Sequence, residues 1–160
     1  MAKALAAPGA RLRSLWKRCE HFPGGRWLFS RAIGLMAPYT ATVGATVARL
    51  EPGYALVTMP DRRRVRNHLD SVHAVALANL AELASGLAVL VSLPASTRGI
   101  LTGLSISYLK KARGALRAEC RCEVPASPVD EEYDVTAEIS DAAGEVVARA
   151  VARWRLGPVR

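Results

Sequence analysis

The chain has 160 residues, of which 51% are hydrophobic and 22% charged, enough apolar material for one packed domain and too little charge for a disordered one. Its 22 Lys and Arg against 14 Asp and Glu give a net charge of +8, but no zinc-ligand spacing or aromatic RNA-reading motif accompanies that charge, which argues against a nucleic-acid module. Three cysteines, Cys19, Cys120 and Cys122, make no disulfide framework and no metal pattern, and fit a chain of the reducing cytoplasm without a metal centre.

Residues 1–36 read as a basic, helical N-terminal extension. Lys3, Arg11, Arg13, Lys17, Arg18, Arg26 and Arg31 stand against the single acid Glu20. Leu12, Leu15, Trp16 and Cys19 have helical spacing, and Pro23-Gly24-Gly25 interrupts it before Trp27-Leu28-Phe29. The extension fits an amphipathic cover packed on the main domain better than a membrane-surface helix, because it is short and broken.

The main domain is expected over residues 37–160. Thr40–Leu50 alternates, with Ala41, Val43, Ala45 and Val47 on one side. Glu51-Pro52-Gly53 makes a turn into a second strand, Tyr54–Met59. An arginine run follows, then a long helix from about Ala74 to Leu93. Leu77, Leu80, Ala84, Leu87 and Val91 mark its period, Asp70 or Ser71 is the expected N-cap, and Pro94 ends it. This stretch nearly matches a membrane span in length, roughly 20 residues. Glu82 in its middle is costly in lipid, and the amphipathic strands that follow need a helix to cover them, so no integral membrane segment is expected.

Past Pro94 the chain alternates again. Ile100, Thr102, Leu104, Ile106 and Tyr108 share one face of a strand. Ala115–Val124 buries Leu116, Ala118, Cys120, Cys122 and Val124, and Ala126–Asp130 is a loop. Tyr133–Ile139 and Glu145–Leu156 supply two more strands. The order β-β-α-β-β-β-β, with one helix of roughly 30 Å able to lie across one antiparallel sheet, places the fold in the α+β class. Ala and Val dominate the apolar residues, so the core should consist of small and branched side chains.

Glu82 is the residue that needs a reason. An ionised carboxylate in so apolar a helix is expensive unless it is paired or functional. At 100° per residue it shares a strip with Ala78, Asn79, Ser85 and Gly86, opposite the leucines, which leaves room beside it. An arginine partner across an interface and a base with a raised pKa both fit the sequence. His73 lies nine residues earlier, half a helical revolution away, so the two meet only if His73 stands at the helix start or the residues come from two chains.

Asn67, His73 six residues later and Glu82 nine after that, followed by Ile106-Ser107-Tyr108-Leu109 and Gly114, together resemble the hotdog-fold thioesterases. The nearest branches are the phenylacetyl-CoA (PaaI-like) enzymes and a bacterial group with an Arg-Asn-His…Val-His-Ala segment. The resemblance covers roughly residues 37–156. It implies a long helix wrapped by a curved antiparallel β-sheet, with two protomers sharing one continuous sheet and active sites at their interface, in a dimer or dimer of dimers. It further implies a hydrolase of acyl-CoA or acyl-carrier thioesters, with coenzyme A as part of the substrate and no other cofactor. In that scheme Glu82 activates water or attacks the carbonyl. The Ala74 backbone N–H binds the thioester oxygen, His73 supports that turn, Asn67 positions water or carbonyl, and Thr102 falls near a hydroxyl some members use. Arg62, Arg63, Arg64, Arg66, Lys110 and Lys111 would meet the coenzyme A phosphates, though a solvated basic face needs no such role. The sequence departs from the family at His73-Ala74-Val75, where His-Gly-Gly is usual. That departure keeps open a non-catalytic thioester-binding protein. A hotdog dehydratase or hydratase fits less well, since the motifs of those enzymes are not evident.

Overall fold

The computed structural model describes residues 8–124 and 130–158. Lys3, the expected loop at Ala126–Asp130 apart from Asp130 itself, and the last two residues of the expected domain at 37–160 lie outside the described residues.

Two helices open the described chain, α1 (Pro8–Cys19) and α2 (Gly25–Met36), followed by a 3-10 turn at Thr40–Val43. Strands β1 (Thr46–Glu51) and β2 (Tyr54–Met59) precede the long helix α3 (Ala74–Ser92), and β3 (Thr97–Tyr108), β4 (Leu116–Arg121), β5 (Glu131–Ser140) and β6 (Val146–Pro158) complete the order. All six strands form one antiparallel sheet in the order β1-β2-β4-β5-β6-β3. This is the α+β architecture of a helix wrapped by a sheet that the strand count predicted. The helix alone is long and apolar enough to cross a membrane. Here most of it is buried inside the fold, including Leu77, Leu80, Ala84, Leu87 and Val91 at the predicted spacing.

The core is built from small side chains, as the composition implied. Ala81, Ala84 and Ala88 of α3 and Ala118, Ala137, Ala148 and Ala150 of the sheet are buried, so helix and sheet can approach closely. Helix α1 lies across the far end of α3. Arg13 Nη1 donates to the carbonyls of Val91 and Leu93 there, supplying a cation and a donor where the last turn has unpaired carbonyls. Leu12, Trp16, Cys19, Phe29 and Ile33 belong to the same buried cluster as α3 and the sheet.

Four expectations need correction. Thr40–Val43 is a 3-10 turn and not strand: Thr42 Oγ1 donates to the Tyr39 carbonyl at 2.6 Å, and Gly44 at φ 65° breaks the extended path before β1 begins. The N-cap of α3 is His73, not Asp70 or Ser71, because those residues are consumed in a turn held by Asn67. The expected strand Ala115–Val124 is shorter, Leu116–Arg121, with Cys120 buried and Cys122 half-buried at its end. Finally, the β3 residues predicted to share one face do not all do so. The register with β6 runs Leu101 opposite Trp154 and then Gly103 opposite Arg153, making Thr102 the extra residue of a bulge. Ile100 therefore pairs with outward Arg155, while Leu104, Ile106 and Tyr108 pair with inward Ala152, Ala150 and Ala148.

The outer face of the sheet neutralises its own charge. Arg149 pairs with Glu138, Arg153 with Asp134 and Arg155 with Asp130 across β5 and β6, each at 2.6–2.8 Å. Such exposed pairs contribute only ~0–1 kcal/mol each, but they fix where charge is cancelled.

Candidate active site

Helix α3 carries Glu82 one turn before Gly86, whose surface packs against Trp154 of β6. The carboxylate is half-buried, and burial pushes its pKa above the ordinary value, with no cation opposing the shift. Among the described residues its side chain has no ion pair and no hydrogen bond, so no described arginine is its partner. Gly86, one turn on, lets the sheet pack close beside it. A Cβ there would lie 3.7 Å from Glu82 Oε1 and 3.3 Å from the Trp154 ring, so the indole of β6 packs where a side chain would otherwise stand. Trp154 is the residue the sequence reading missed. It falls within the expected strand Glu145–Leu156, and pairing it with the helix requires the sheet register.

The start of α3 is a second, separate cluster. His73 accepts the Val75 N–H on Nδ1 at 3.1 Å and its carbonyl accepts the Leu77 N–H. The Ala74 N–H has no acceptor among the described residues, while its carbonyl accepts the Tyr108 hydroxyl from the end of β3 at 3.2 Å. A free N–H at the positive end of a 19-residue helix is a donor suited to a developing oxyanion. Replacing His73 by Ala is expected to cost about 1 kcal/mol through loss of the cap, read as a lowered midpoint in denaturant titration.

Asn67 holds the loop leading into this helix. Its Oδ1 accepts from Leu69 N, Ser71 N and Ser71 Oγ, which leaves only its amide N–H groups to meet anything else. Thr102 sits in the β3 bulge and donates to the Arg153 carbonyl at 3.3 Å. That bond directs its hydroxyl to the β6 backbone.

Glu82 and His73 are separated by nine residues of helix, about 13 Å of rise, and point to opposite sides. One chain does not bring them together. The β3 strand stands at one edge of the sheet with its outer side unpaired among the described residues, and exposes Ile100, Leu104 and Tyr108.

The six basic residues predicted to act together fall into different surroundings. Arg66 is bonded to Asp61 at 2.7 Å and Asp70 at 2.8 Å, and its hydrogen bond holds the Asp61 carboxyl below the ordinary range. Lys110 is bonded to Asp141 and Glu145. Arg62, Arg63, Arg64 and Lys111 have no ion pair among the described residues. No cluster among the described residues has the donors to hold a metal ion.

The family described as Domain of unknown function (DUF4442) matches residues 25–156. A crystal structure from a genomics programme is 34% identical, with a TM-score of 0.81 over 92% of this chain and 98% of that one. A Pseudomonas aeruginosa protein of unknown function described as a probable thioesterase is 28% identical, with a TM-score of 0.70 over 79% of this chain and 91% of that one. A thioesterase family protein from Silicibacter pomeroyi, 20% identical, shares the fold with a TM-score of 0.69 over 81% of this chain and 96% of that one. No curated protein matches by sequence.

Proposed function

Since the chain belongs to the DUF4442 family of hotdog-fold thioesterase relatives, we propose that it hydrolyses acyl thioesters in a site shared between two protomers. The observation that carries this reading is Glu82: a half-buried carboxylate with a raised pKa, no partner among the described residues, and the Trp154 indole packed against Gly86 one turn on. A carboxylate in that state is a stronger base than an exposed one and can take a proton from water near neutral pH. The Ala74 N–H is the oxyanion donor, His73 holds the helix start, and the free amide N–H of Asn67 orients the carbonyl or the water. The probable-thioesterase description of the Pseudomonas aeruginosa relative supports the reaction class.

Release of free thiol from a panel of acyl-CoA thioesters tests the reading. Absence of turnover at every chain length overturns it.

A dimer joined along β3 supplies the missing geometry. An open edge of 12 residues with apolar side chains is a template for pairing with a second copy, and two-fold pairing places the β3-facing side of one α3 next to that of the other. Glu82 of one chain then faces the helix start of its partner. Leu104→Asp, a charge on the inward face of this edge, is expected to convert the dimer to monomer in light scattering. Hydrolysis should fall with it by at least tenfold. A fully active monomeric variant would refute the shared site.

A second reading is favoured by one observation. Val75, where the family has glycine, is 52% exposed and lines the cavity beside His73, so its side chain occupies space near the proposed carbonyl position. In that reading the protein holds a thioester without cleaving it. Calorimetry showing tight acyl-CoA binding with no thiol release distinguishes the two.

A further inference from the structure

Helix α2 is apolar on two sides. One side, Gly25, Phe29 and Ile33, is buried, and Ser30 Oγ ties the helix to β1 by accepting the Val47 N–H at 2.9 Å. At 3.6 residues per turn, Trp27, Leu28, Arg31 and Leu35 fall together on the other side. All four are exposed, Leu35 by 80% and Trp27 by 62%. Scattered exposed leucines need no explanation, but three large apolar side chains on one face of one helix mark a contact surface. Trp27 and Leu35 also line a concavity of about 440 Å³ together with Arg31, Arg62 and Arg64, so the apolar residues and the cations lie on one side of the molecule.

Charge says what covers this face. Between Pro8 and Ala45 the chain carries six cations, Arg11, Arg13, Lys17, Arg18, Arg26 and Arg31, and one carboxylate, Glu20. Arg26, Arg31, Arg62 and Arg64 have no ion pair among the described residues, whereas Arg149, Arg153 and Arg155 of the sheet do. A second copy of the chain is a poor match. A two-fold contact would set Arg31, in the middle of the patch, against the same guanidinium of the other copy. An anionic lipid surface satisfies the cations and the apolar residues together. The Arg31 guanidinium lies 5.9 Å from the Trp27 ring centroid, and an indole beside a cation suits the boundary where headgroups meet acyl chains. In isolation a 12-residue helix is marginal, which is why the sequence argues against a membrane-surface role. The fold removes that objection. Phe29, Ile33 and Ser30 already hold α2 in place, so docking costs no helix formation.

We propose that the outer face of α2 docks the protein on the surface of an anionic lipid bilayer. Trp27, Leu28 and Leu35 enter the headgroup boundary, and Arg26, Arg31, Arg62 and Arg64 meet lipid phosphates. The association is peripheral and reversible, because α3, the one described helix long and apolar enough to span, stays inside the fold. Docking is independent of the thioesterase reading, since neither Glu82 nor the start of α3 takes part in it.

Co-sedimentation of the full chain with vesicles tests this, using phosphatidylcholine alone and an equimolar mixture with phosphatidylglycerol. Trp27 is the single exposed indole of three, Trp16 and Trp154 being buried. Its emission should shift to the blue on the mixed vesicles and be quenched by acyl chains brominated near the headgroup. Binding should be absent on phosphatidylcholine alone and should weaken steeply with added salt. Leu28→Ser/Leu35→Ser should lower the partition coefficient at least tenfold, and Arg26→Gln/Arg31→Gln by about tenfold. All four side chains are exposed, so the thermal midpoint should not change in either variant. If one double variant does not fold, the other and the brominated-lipid quenching still decide. A wild-type protein that ignores the mixed vesicles, or a folded double variant that binds them equally well, overturns the proposal. So does equal binding to the neutral vesicles. A wild-type oligomer that binds no lipid and that Leu28→Ser/Leu35→Ser converts to a smaller species in light scattering also overturns it, and would make the face a contact between copies.

Discussion

Glu82→Gln is expected to lower thioester hydrolysis by about 10²–10⁴-fold, the usual contribution of a positioned general base. Gln keeps the volume and hydrogen-bonding shape while removing the negative charge, so the loss should appear in kcat with little change in KM. The pH profile of the wild type should show the same group. The base works only when ionised, and burial raises its pKa, so activity should fall on acidification at a higher pH than for an exposed glutamate. The linked effect on stability has a definite sign. A carboxyl whose folded pKa lies above its unfolded value binds more protons when folded, so its contribution is present below the unfolded pKa and is lost as pH rises through the folded one. Glu82→Gln should therefore raise the thermal midpoint at pH 7–8, with the gain shrinking toward pH 4. A variant that retains full activity with an unchanged acidic limb would remove Glu82 from the mechanism.

Phe29→Ala should cost about 3–5 kcal/mol, the range for deleting a fully buried aromatic side chain. Phe29 is 0% exposed and meets Trp16 edge-to-face with ring centroids 5.0 Å apart. It lies in α2, within the stretch read from sequence as an appendage. Since α1 and α2 share one buried cluster with α3 and the sheet, the loss should appear in a single cooperative transition followed by circular dichroism and by intrinsic fluorescence together. A small loss, or two separate transitions, would mean that residues 8–36 fold apart from the rest.

The long helix was legible because its signals are local: apolar residues at helical spacing and a proline past the end. The strands were legible for the same reason, and their number and order led to the fold. What escaped the sequence depends on contacts between distant residues. Asp70 and Ser71 have the chemistry of N-caps, but Asn67 draws them into its own turn and leaves His73 to cap. The alternation from Ile100 to Tyr108 is regular on paper, and only pairing with β6 shows that Thr102 bulges and splits it. The same holds for the candidate site. Glu82 was evident as a lone acid in an apolar run, whereas its neighbour Trp154 lies 72 positions away. The basic residues looked alike until Asp61 and Asp70 claimed Arg66 and Asp141 and Glu145 claimed Lys110.

The arginine–carboxylate pairs across β5 and β6 have a consequence for how a ligand arrives. They cancel charge on the outer sheet face locally, so the sheet generates little long-range field. The excess positive charge instead collects toward α1, α2 and the unpaired arginines before α3. The molecule is therefore electrically lopsided, and a polyanion diffusing nearby is turned and drawn toward one end before any contact forms. That guidance acts over about a Debye length, roughly 8 Å at physiological salt, and it governs the rate of encounter more than the tightness of the final complex.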